Sequence, residues 1–176
     1  MKEIIKKTGI NFGLIFGFIL SLITLYAFVI DASIFGNMWI MLIPFAVLIV
    51  LGLLAIGTAK KGLNGYISFK EAFTTFFVMI ALGTLIATIV NILIFNVVAP
   101  EFKETVKEIQ ITKTTEMMES FNVPYEQIDE AIEKLKEDDQ FSIPKQMLSY
   151  VMGLAIYSIF GLLLALILKR NNPELE

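Results

Sequence analysis

The stretch AFTTFFVMIALGTLIATIVNILIFNVVAP, residues 72–100, contains no acidic or basic side chain. It exceeds the roughly 18 apolar residues that mark a membrane-spanning helix. At 1.5 Å per residue, about 20 helical residues cross a 30 Å hydrocarbon core. Three other uncharged runs share this property: Thr8–Ile30, Ala32–Ala59 and Gln146–Leu168. The sequence therefore predicts an all-α polytopic integral membrane protein with four transmembrane helices.

Composition agrees with a membrane location for the chain. Of its 176 residues, 56% are hydrophobic and 18% are charged, and the mean hydropathy is +0.75. Soluble domains contain about 45–50% apolar and about 25% charged residues. An ordinary soluble domain is therefore excluded, and the lipid bilayer is the first partner that we expect.

The sequence lacks histidine and cysteine entirely. Histidine is the commonest general base, and both residue types are common metal ligands and catalytic groups. We therefore predict a protein that is not an enzyme, with no catalytic, cofactor-binding or metal-binding residues. Because no stretch is rich in lysine and arginine, we also expect no nucleic-acid partner.

The four predicted spans divide the chain into segments. The first is expected to remain uncleaved, because its apolar run is longer than the 7–15 residues of a signal-peptide core. Between the third and fourth spans lies a long polar excursion, which should be largely helical. The predicted segments are a basic tail (1–9), spans at 10–30, 39–59 and 73–98, the excursion (99–146), a fourth span (147–168) and a second tail (169–176).

Lysine and arginine predict the orientation of the spans, because acidic residues contribute little to topology. Both tails and the linker between the second and third spans share one side and contain eight basic residues. The opposite side contains six, spread along the excursion. We therefore predict cytoplasmic termini and an extracytoplasmic excursion. The eight basic residues are Lys2, Lys6, Lys7, Lys60, Lys61, Lys70, Lys169 and Arg170.

Small residues recur at four-residue spacing in the first span, where Gly9, Gly13, Gly17 and Ser21 share one face. Close backbone approach through small residues is a main source of helix association in lipid. We therefore predict that this row packs against another helix. In the fourth span we expect the same role for Gly153 and Gly161, which could also support a homo-oligomer.

Polar side chains line one face of the third span, where Thr84, Thr88 and Asn91 recur at helical spacing. A side-chain amide is costly in hydrocarbon unless it finds a partner, so Asn91 should face another helix or water. One interpretation is hydrogen bonding between helices, and the other is a polar lining for a small solute path.

Three local patterns predict structure outside the membrane. Ser68 and Glu71 have the spacing of a capping box at the start of the third span. In the excursion, β-branched residues at 111–115 favour a bend or break in its first helix. After Pro124, the residues Tyr125, Ile128, Ile132 and Leu135 form the apolar face of an amphipathic helix. That face should cover the preceding helix, the bilayer surface or a protein partner, and the acidity of the excursion disfavours the bilayer surface.

This arrangement resembles an uncharacterised family of small bacterial four-span membrane proteins, classed as a domain of unknown function. The resemblance depends on GYISFKEAF at residues 65–73, the helical excursion, and the terminal sequence Leu168-Lys169-Arg170. It implies a multi-pass protein of the bacterial inner membrane. It implies no catalytic residues.

Two functions compete on these observations. The first is a non-enzymatic accessory or assembly factor that binds a membrane or extracytoplasmic protein through its excursion. The alternative is a small oligomeric transporter or channel component that uses the polar face of the third span. Four helices are few for a solute path, so the alternative requires an oligomer.

Overall fold

The computed structural model describes residues 2–170, apart from the side chains at 38, 40 and 41. Its six α-helices confirm the all-α prediction, and no strand occurs in this part of the chain. A 3-10 turn at Ala32–Gly36 joins the first two helices, and a π-helical segment at Ile94–Val98 extends the third. The helices are α1 (Lys2–Val29), α2 (Met38–Gly62), α3 (Phe69–Leu93), α4 (Phe102–Ser120), α5 (Tyr125–Glu137) and α6 (Ile143–Leu168).

Four segments are long and apolar enough to cross a membrane: Lys2–Val29, Leu42–Gly62, Phe69–Val98 and Ile143–Leu168. Large apolar side chains remain exposed along them, as at Phe18, which is 64% exposed. Such surfaces suit lipid rather than water. The chain is therefore a multi-pass membrane protein.

Helices α1 and α3 lie side by side and run in the same direction. Gly9, Gly13 and Gly17 are all buried against α3. A Cβ added at Gly13 would lie 3.0 Å from the carbonyl oxygen of Met79, which leaves no room for a larger residue. Ser21 continues the row and donates a hydrogen bond to the carbonyl of Gly17 at 2.7 Å, inside its own helix.

One end of the bundle contains the linker between α2 and α3, and we call it the linker end. There the backbones of Ile67 and Arg170 exchange two hydrogen bonds, of 2.9 and 2.8 Å. Lys60 Nζ donates a hydrogen bond to the carbonyl of Leu168 at 2.9 Å. A positive charge at this position stabilises the C-terminus of α6. These contacts join the end of α6 to the end of α2 and to the linker before α3.

A capping box begins α3 at the linker end. Ser68 Oγ accepts a hydrogen bond from the Glu71 amide, and Glu71 Oε2 accepts one from the Ser68 amide at 2.9 Å. The two bonds satisfy amides that the first helical turn leaves unpaired.

Phe76 fills the centre of the bundle toward the linker end, and its side chain is fully buried. Its ring lies between Gly52 of α2 and Gly161 of α6. A Cβ would come within 2.6 Å of Phe76 Cε2 at Gly52 and within 2.8 Å of Cε1 at Gly161. Gly161 is therefore a packing residue, as its spacing predicted.

The predicted packing of Gly153 against another span is not found within the described residues of the single chain. A Cβ at Gly153 would meet only Tyr157 of its own helix, at 3.5 Å, and would touch no neighbouring helix among the described residues. Gly153 lies two turns from Gly161 toward the other end of α6, where a cavity separates the spans.

Helices α4 and α5 form a hairpin at the opposite end of the bundle, the hairpin end. The predicted break in α4 does not occur, and the helix is continuous through residues 111–115. It crosses the 3-10 turn, where Gly36 contacts Ile109 and Lys113. This tertiary packing offsets the low helix propensity of residues 111–115, whereas the hydroxyl bonds of Thr112 and Thr115 to carbonyls four residues back add no helix stability.

Candidate functional site

A cavity of about 350 Å³ lies between α3 and α6 in the half of the bundle nearer the hairpin end, and we call it the polar chamber. Its volume is at the lower end of the range of about 300–1,000 Å³ that is usual for ligand pockets. Much of its wall consists of uncharged polar side chains. These are Thr84, Thr88, Asn91, Gln110, Gln140, Gln146, Ser149, Tyr150 and Tyr157.

Helix α3 contributes the polar face that the sequence predicted. Thr84, Thr88 and Asn91 all line the polar chamber and are partly buried. Thr84 Oγ1 donates to the carbonyl of Ile80 at 2.6 Å, which leaves its lone pairs available as acceptors. The three predicted residues are therefore together in one cavity wall.

The amide of Asn91 is incompletely satisfied. Its Oδ1 atom is buried and has no hydrogen-bond partner within residues 2–170. An unpaired buried acceptor costs about 1–3 kcal/mol, so such atoms in a protein need an explanation. The residue lines a cavity, but Oδ1 itself is closed to a water-sized probe, so a molecule in the cavity would pair with this oxygen only after the amide rotates.

Helix α6 provides the opposite wall, which the sequence prediction missed. Gln146, Ser149, Gly153 and Tyr157 line the polar chamber, and Tyr150 Oη donates to the carbonyl of Ala81 on α3 at 3.2 Å. The spacing of these residues follows one helical face. That polar stripe was the available signal, but its one member named from the sequence, Gly153, was interpreted only as a small packing residue.

A second cavity of about 280 Å³ adjoins the first on the side of α1 and α2, and we call it the apolar chamber. The two chambers have Leu20, Phe35, Ala87, Asn91 and Gln110 in common. The rest of its described wall consists of Ile23, Thr24, Ile34 and Pro44. Asn91 therefore stands where a polar space meets an apolar one.

A third cavity of about 610 Å³, the vestibule, lies against the hairpin. It shares Phe35, Gln110 and Gln140 with the polar chamber. At this junction Gln140 Nε2 donates a hydrogen bond to Gln110 Oε1. The row of cavities thus leads from the hairpin to Asn91.

Formal charges occur in the vestibule but not in the two chambers, as far as their described walls are concerned. Lys113 and Glu116 line the vestibule and form an ion pair at 2.7 Å. No acidic or basic residue lines either chamber within residues 2–170. The same part of the chain contains no group of three acidic residues that could hold a metal ion.

Aromatic packing closes the hairpin end around these cavities. Phe95, which is buried, stacks on Phe141 with ring centroids 4.3 Å apart. Asn96 Nδ2 donates to the Phe141 carbonyl at 3.0 Å, and Lys103 Nζ donates to Asn96 Oδ1 at 3.0 Å. These bonds hold the excursion to the end of α3.

The apolar face of α5 is largely covered by the protein itself. Ile128 is 3% exposed, Ile132 and Leu135 are partly buried, and α5 packs against α4, where Val106 is fully buried. Of the four residues predicted as a partner face, Tyr125 alone stays open, at 78% exposure. The stripe is thus mainly an intramolecular contact, which was one of the three expected possibilities.

Ionisable groups with shifted pKa values lie on the surface of the hairpin end. Glu130 and Lys134 form an ion pair at 2.7 Å; its hydrogen bond, and secondarily its charge interaction, lower the pKa of Glu130 and raise that of Lys134. Hydrogen bonds from Ser33 lower the pKa of Asp31 at the start of the 3-10 turn. Neither site lines the chambers.

Comparison with known families assigns the chain. A family model described as "Protein of unknown function (DUF4199)" matches residues 11–170. The chain belongs to this family. The DUF4199 match covers all four spans and the hairpin, so the chambers lie wholly within the family's own domain. Searches of curated proteins and of solved structures found no match.

Proposed function

We propose that this protein binds a small solute in the polar chamber and serves as a transport component of the membrane. The observation that carries the proposal is a cavity inside the bundle whose wall is built largely from uncharged polar side chains of α3 and α6, among them Asn91. Polar groups inside a membrane are costly, so a polar cavity there is a functional-site hypothesis by default.

The position of Phe76 supports binding followed by a conformational step, rather than an open channel. Thr84 lies eight residues, about 12 Å, from Phe76 along α3. At Phe76 the interior is filled by the ring between Gly52 and Gly161. Passage across the bilayer would therefore require displacement of Phe76 or assembly with a second copy.

Cysteine accessibility tests the proposal directly, because the chain has no cysteine of its own. The experiment compares Thr88→Cys with Ile89→Cys, its neighbour, which is 49% exposed on the lipid-facing surface. A water-soluble thiol reagent applied to reconstituted protein should label position 88 and spare position 89, because a thiol reacts as its thiolate, which requires water. Equal labelling at both positions, or none at 88, would refute a solvated chamber.

Flux measurements address the transport part of the proposal. Sealed liposomes containing the protein should admit small neutral solutes faster than empty liposomes, and Thr88→Trp should block the gain by filling the chamber. A binding-competent protein without flux would restrict its role to solute binding.

A second candidate function, docking of a protein partner, is favoured by the tip of the hairpin. Phe121 is 75% exposed and Tyr125 is 78% exposed, on either side of the α4–α5 turn. Exposed aromatic side chains are typical binding anchors. A crosslinker on Gln127→Cys should then capture one foreign protein, and Phe121→Ser with Tyr125→Ser should abolish the capture. Adducts with only a second copy of this chain would instead support an oligomer.

For topology, we propose cytoplasmic termini and an extracytoplasmic hairpin in a bacterial inner membrane. Basic residues of the linker end, such as Lys60, Lys61 and Lys70, support this orientation. In intact cells an impermeant thiol reagent should label Gln127→Cys and leave Lys61→Cys unlabelled. The reverse pattern would invert the topology.

A further inference from the structure

The two chambers differ in chemistry and share five lining residues, of which Asn91 and Gln110 are polar. Asn91 lines both, with hydroxyl and amide groups on the α3–α6 side and mainly hydrocarbon on the α1–α2 side. A molecule that fills both spaces must therefore have a polar part and an apolar part on either side of Asn91.

The amide of Asn91 limits the polar part to groups that hydrogen-bond. Its Oδ1 is an acceptor without a partner in the described chain, and its NH₂ group is a donor. Rotation about the terminal amide torsion is broad and exchanges the two. A hydroxyl or a carboxamide would suit either orientation, because each is both donor and acceptor.

The absence of charge from the described chamber walls limits the ligand further. A carboxylate or ammonium group that displaces water beside Asn91 would find no counter-ion in the described walls, so a neutral head group is favoured over a charged one. The ion pair of Lys113 and Glu116 lies in the vestibule and is itself half-exposed.

We infer that the ligand is an uncharged amphiphile, whose hydroxyl or carboxamide head bonds Asn91 and occupies the polar chamber while its hydrocarbon part lies against Ile23, Ile34 and Pro44. This inference rests on the proposed binding function and names the class of solute. A neutral lipid and a free alkyl alcohol or amide share this chemistry.

Protection of the Thr88→Cys reporter tests the inference in phosphatidylcholine nanodiscs. The probes are octanamide, octanoate, octylamine and acetamide, and the readout is the rate of maleimide labelling. Octanamide should slow labelling, whereas octanoate and octylamine, charged at pH 7, should have little effect. Acetamide should protect weakly, because it lacks the hydrocarbon part.

Two variants of the reporter protein test the assigned contacts. Asn91→Leu keeps the side-chain size and should weaken octanamide protection by about threefold to tenfold, the range expected for one neutral hydrogen bond. Ile23→Phe reduces the apolar chamber and should weaken octanamide but not acetamide. Because each variant experiences the same bilayer, partitioning of the probe into lipid cancels from the comparison.

The outcomes separate the inference from the proposed function. Labelling of Thr88→Cys without protection by octanamide would overturn the ligand class but leave a solvated chamber. Equal protection by octanoate would overturn the requirement for neutrality. Protection by acetamide equal to that by octanamide would overturn the assignment of head and tail to the two chambers. The same conclusion would follow if neither Asn91→Leu nor Ile23→Phe weakened protection by octanamide. No labelling at Thr88→Cys would refute the proposed function itself.

Discussion

A Cβ at Gly17 of α1 would lie 2.9 Å from the carbonyl oxygen of Gly83 on α3, so the two helix backbones touch at this point. The approach is equally close at Gly83, where a Cβ would lie 3.0 Å from the carbonyl oxygen of Gly13. Together with Gly9, these residues fix α1 along one side of α3. The polar chamber opens on the opposite, polar part of α3, and Leu20 of α1 lines both chambers, so the shape of both depends on this fixed pair of helices.

Enlargement of the glycine row should separate α1 from α3. Gly13→Leu places its side chain against the Met79 carbonyl and Leu82, and we expect a loss of about 1–3 kcal/mol, typical of overpacking. Gly57→Leu is the control, because a Cβ at Gly57 meets nothing within 4 Å. Thermal unfolding in detergent should show a lower Tm for Gly13→Leu alone. Equal effects of the two substitutions would contradict the assigned contact.

The two glycines of α6 should respond in opposite ways to alanine. Gly161→Ala forces the buried ring of Phe76 to move, which should destabilise the bundle by about 1–3 kcal/mol. Gly153→Ala adds a methyl group to an open wall and gains up to about 1 kcal/mol of helix propensity. Unfolding midpoints measure both. A loss of stability at Gly153 as large as at Gly161 would show that the spans close at the hairpin end.

These glycines also show what the sequence could reveal. Gly9, Gly13 and Gly17 repeat within one helix, so their shared face follows from local geometry alone. The identity of the helix that they pack against does not follow from local geometry, because it depends on how the four spans assemble. Gly153 and Gly161 look equivalent in sequence, yet only Gly161 meets Phe76. The difference arises because neighbouring helices separate toward the hairpin end, which no local pattern encodes.

Only the α3 side of the candidate site could be predicted from the sequence, because the other side depends on how distant segments assemble. Thr84, Thr88 and Asn91 form a polar stripe that is visible in α3 alone, and Ser68 with Glu71 is likewise a local signal. The hydrogen bond between Gln110 and Gln140 joins two residues distant in sequence, and it follows from the folding of the hairpin. Its position at the junction of two cavities could not be inferred from spacing.

Loss of the capping box should destabilise the start of α3. Ser68→Ala removes the hydroxyl that accepts from the Glu71 amide, at an expected cost of about 1 kcal/mol. Ser142→Ala is the matched control, because Ser142 occupies the N-cap of α6 without a side-chain capping bond. Chemical unfolding should rank Ser68→Ala below Ser142→Ala in stability, and the opposite order would contradict the role of the cap.

Substitutions at two residues of α5 should distinguish a role in hairpin stability from a role in partner binding. Ile128→Ala empties a buried position and should cost about 2–5 kcal/mol of local stability. Tyr125→Ala alters an exposed residue and should change stability by less than about 0.5 kcal/mol. Hydrogen exchange of α5 amides measures the first effect. Should Tyr125→Ala accelerate exchange equally, the tyrosine would be a structural residue instead of a free docking aromatic.

The ion pair of Glu130 and Lys134 should produce a small, salt-sensitive dependence of hairpin stability on pH. Since the pair lowers the pKa of Glu130, its stabilising effect is present above the ordinary glutamate pKa and disappears as pH falls through the lowered value. Both groups are exposed, so solvent and salt should screen the effect. Carboxyl NMR titration of Lys134→Met should show a higher Glu130 pKa than in the parent protein. Lys136→Met leaves the pair intact and should not change that pKa; a shift in this control as large as in Lys134→Met would mean that general charge, rather than the i,i+4 contact, sets the value.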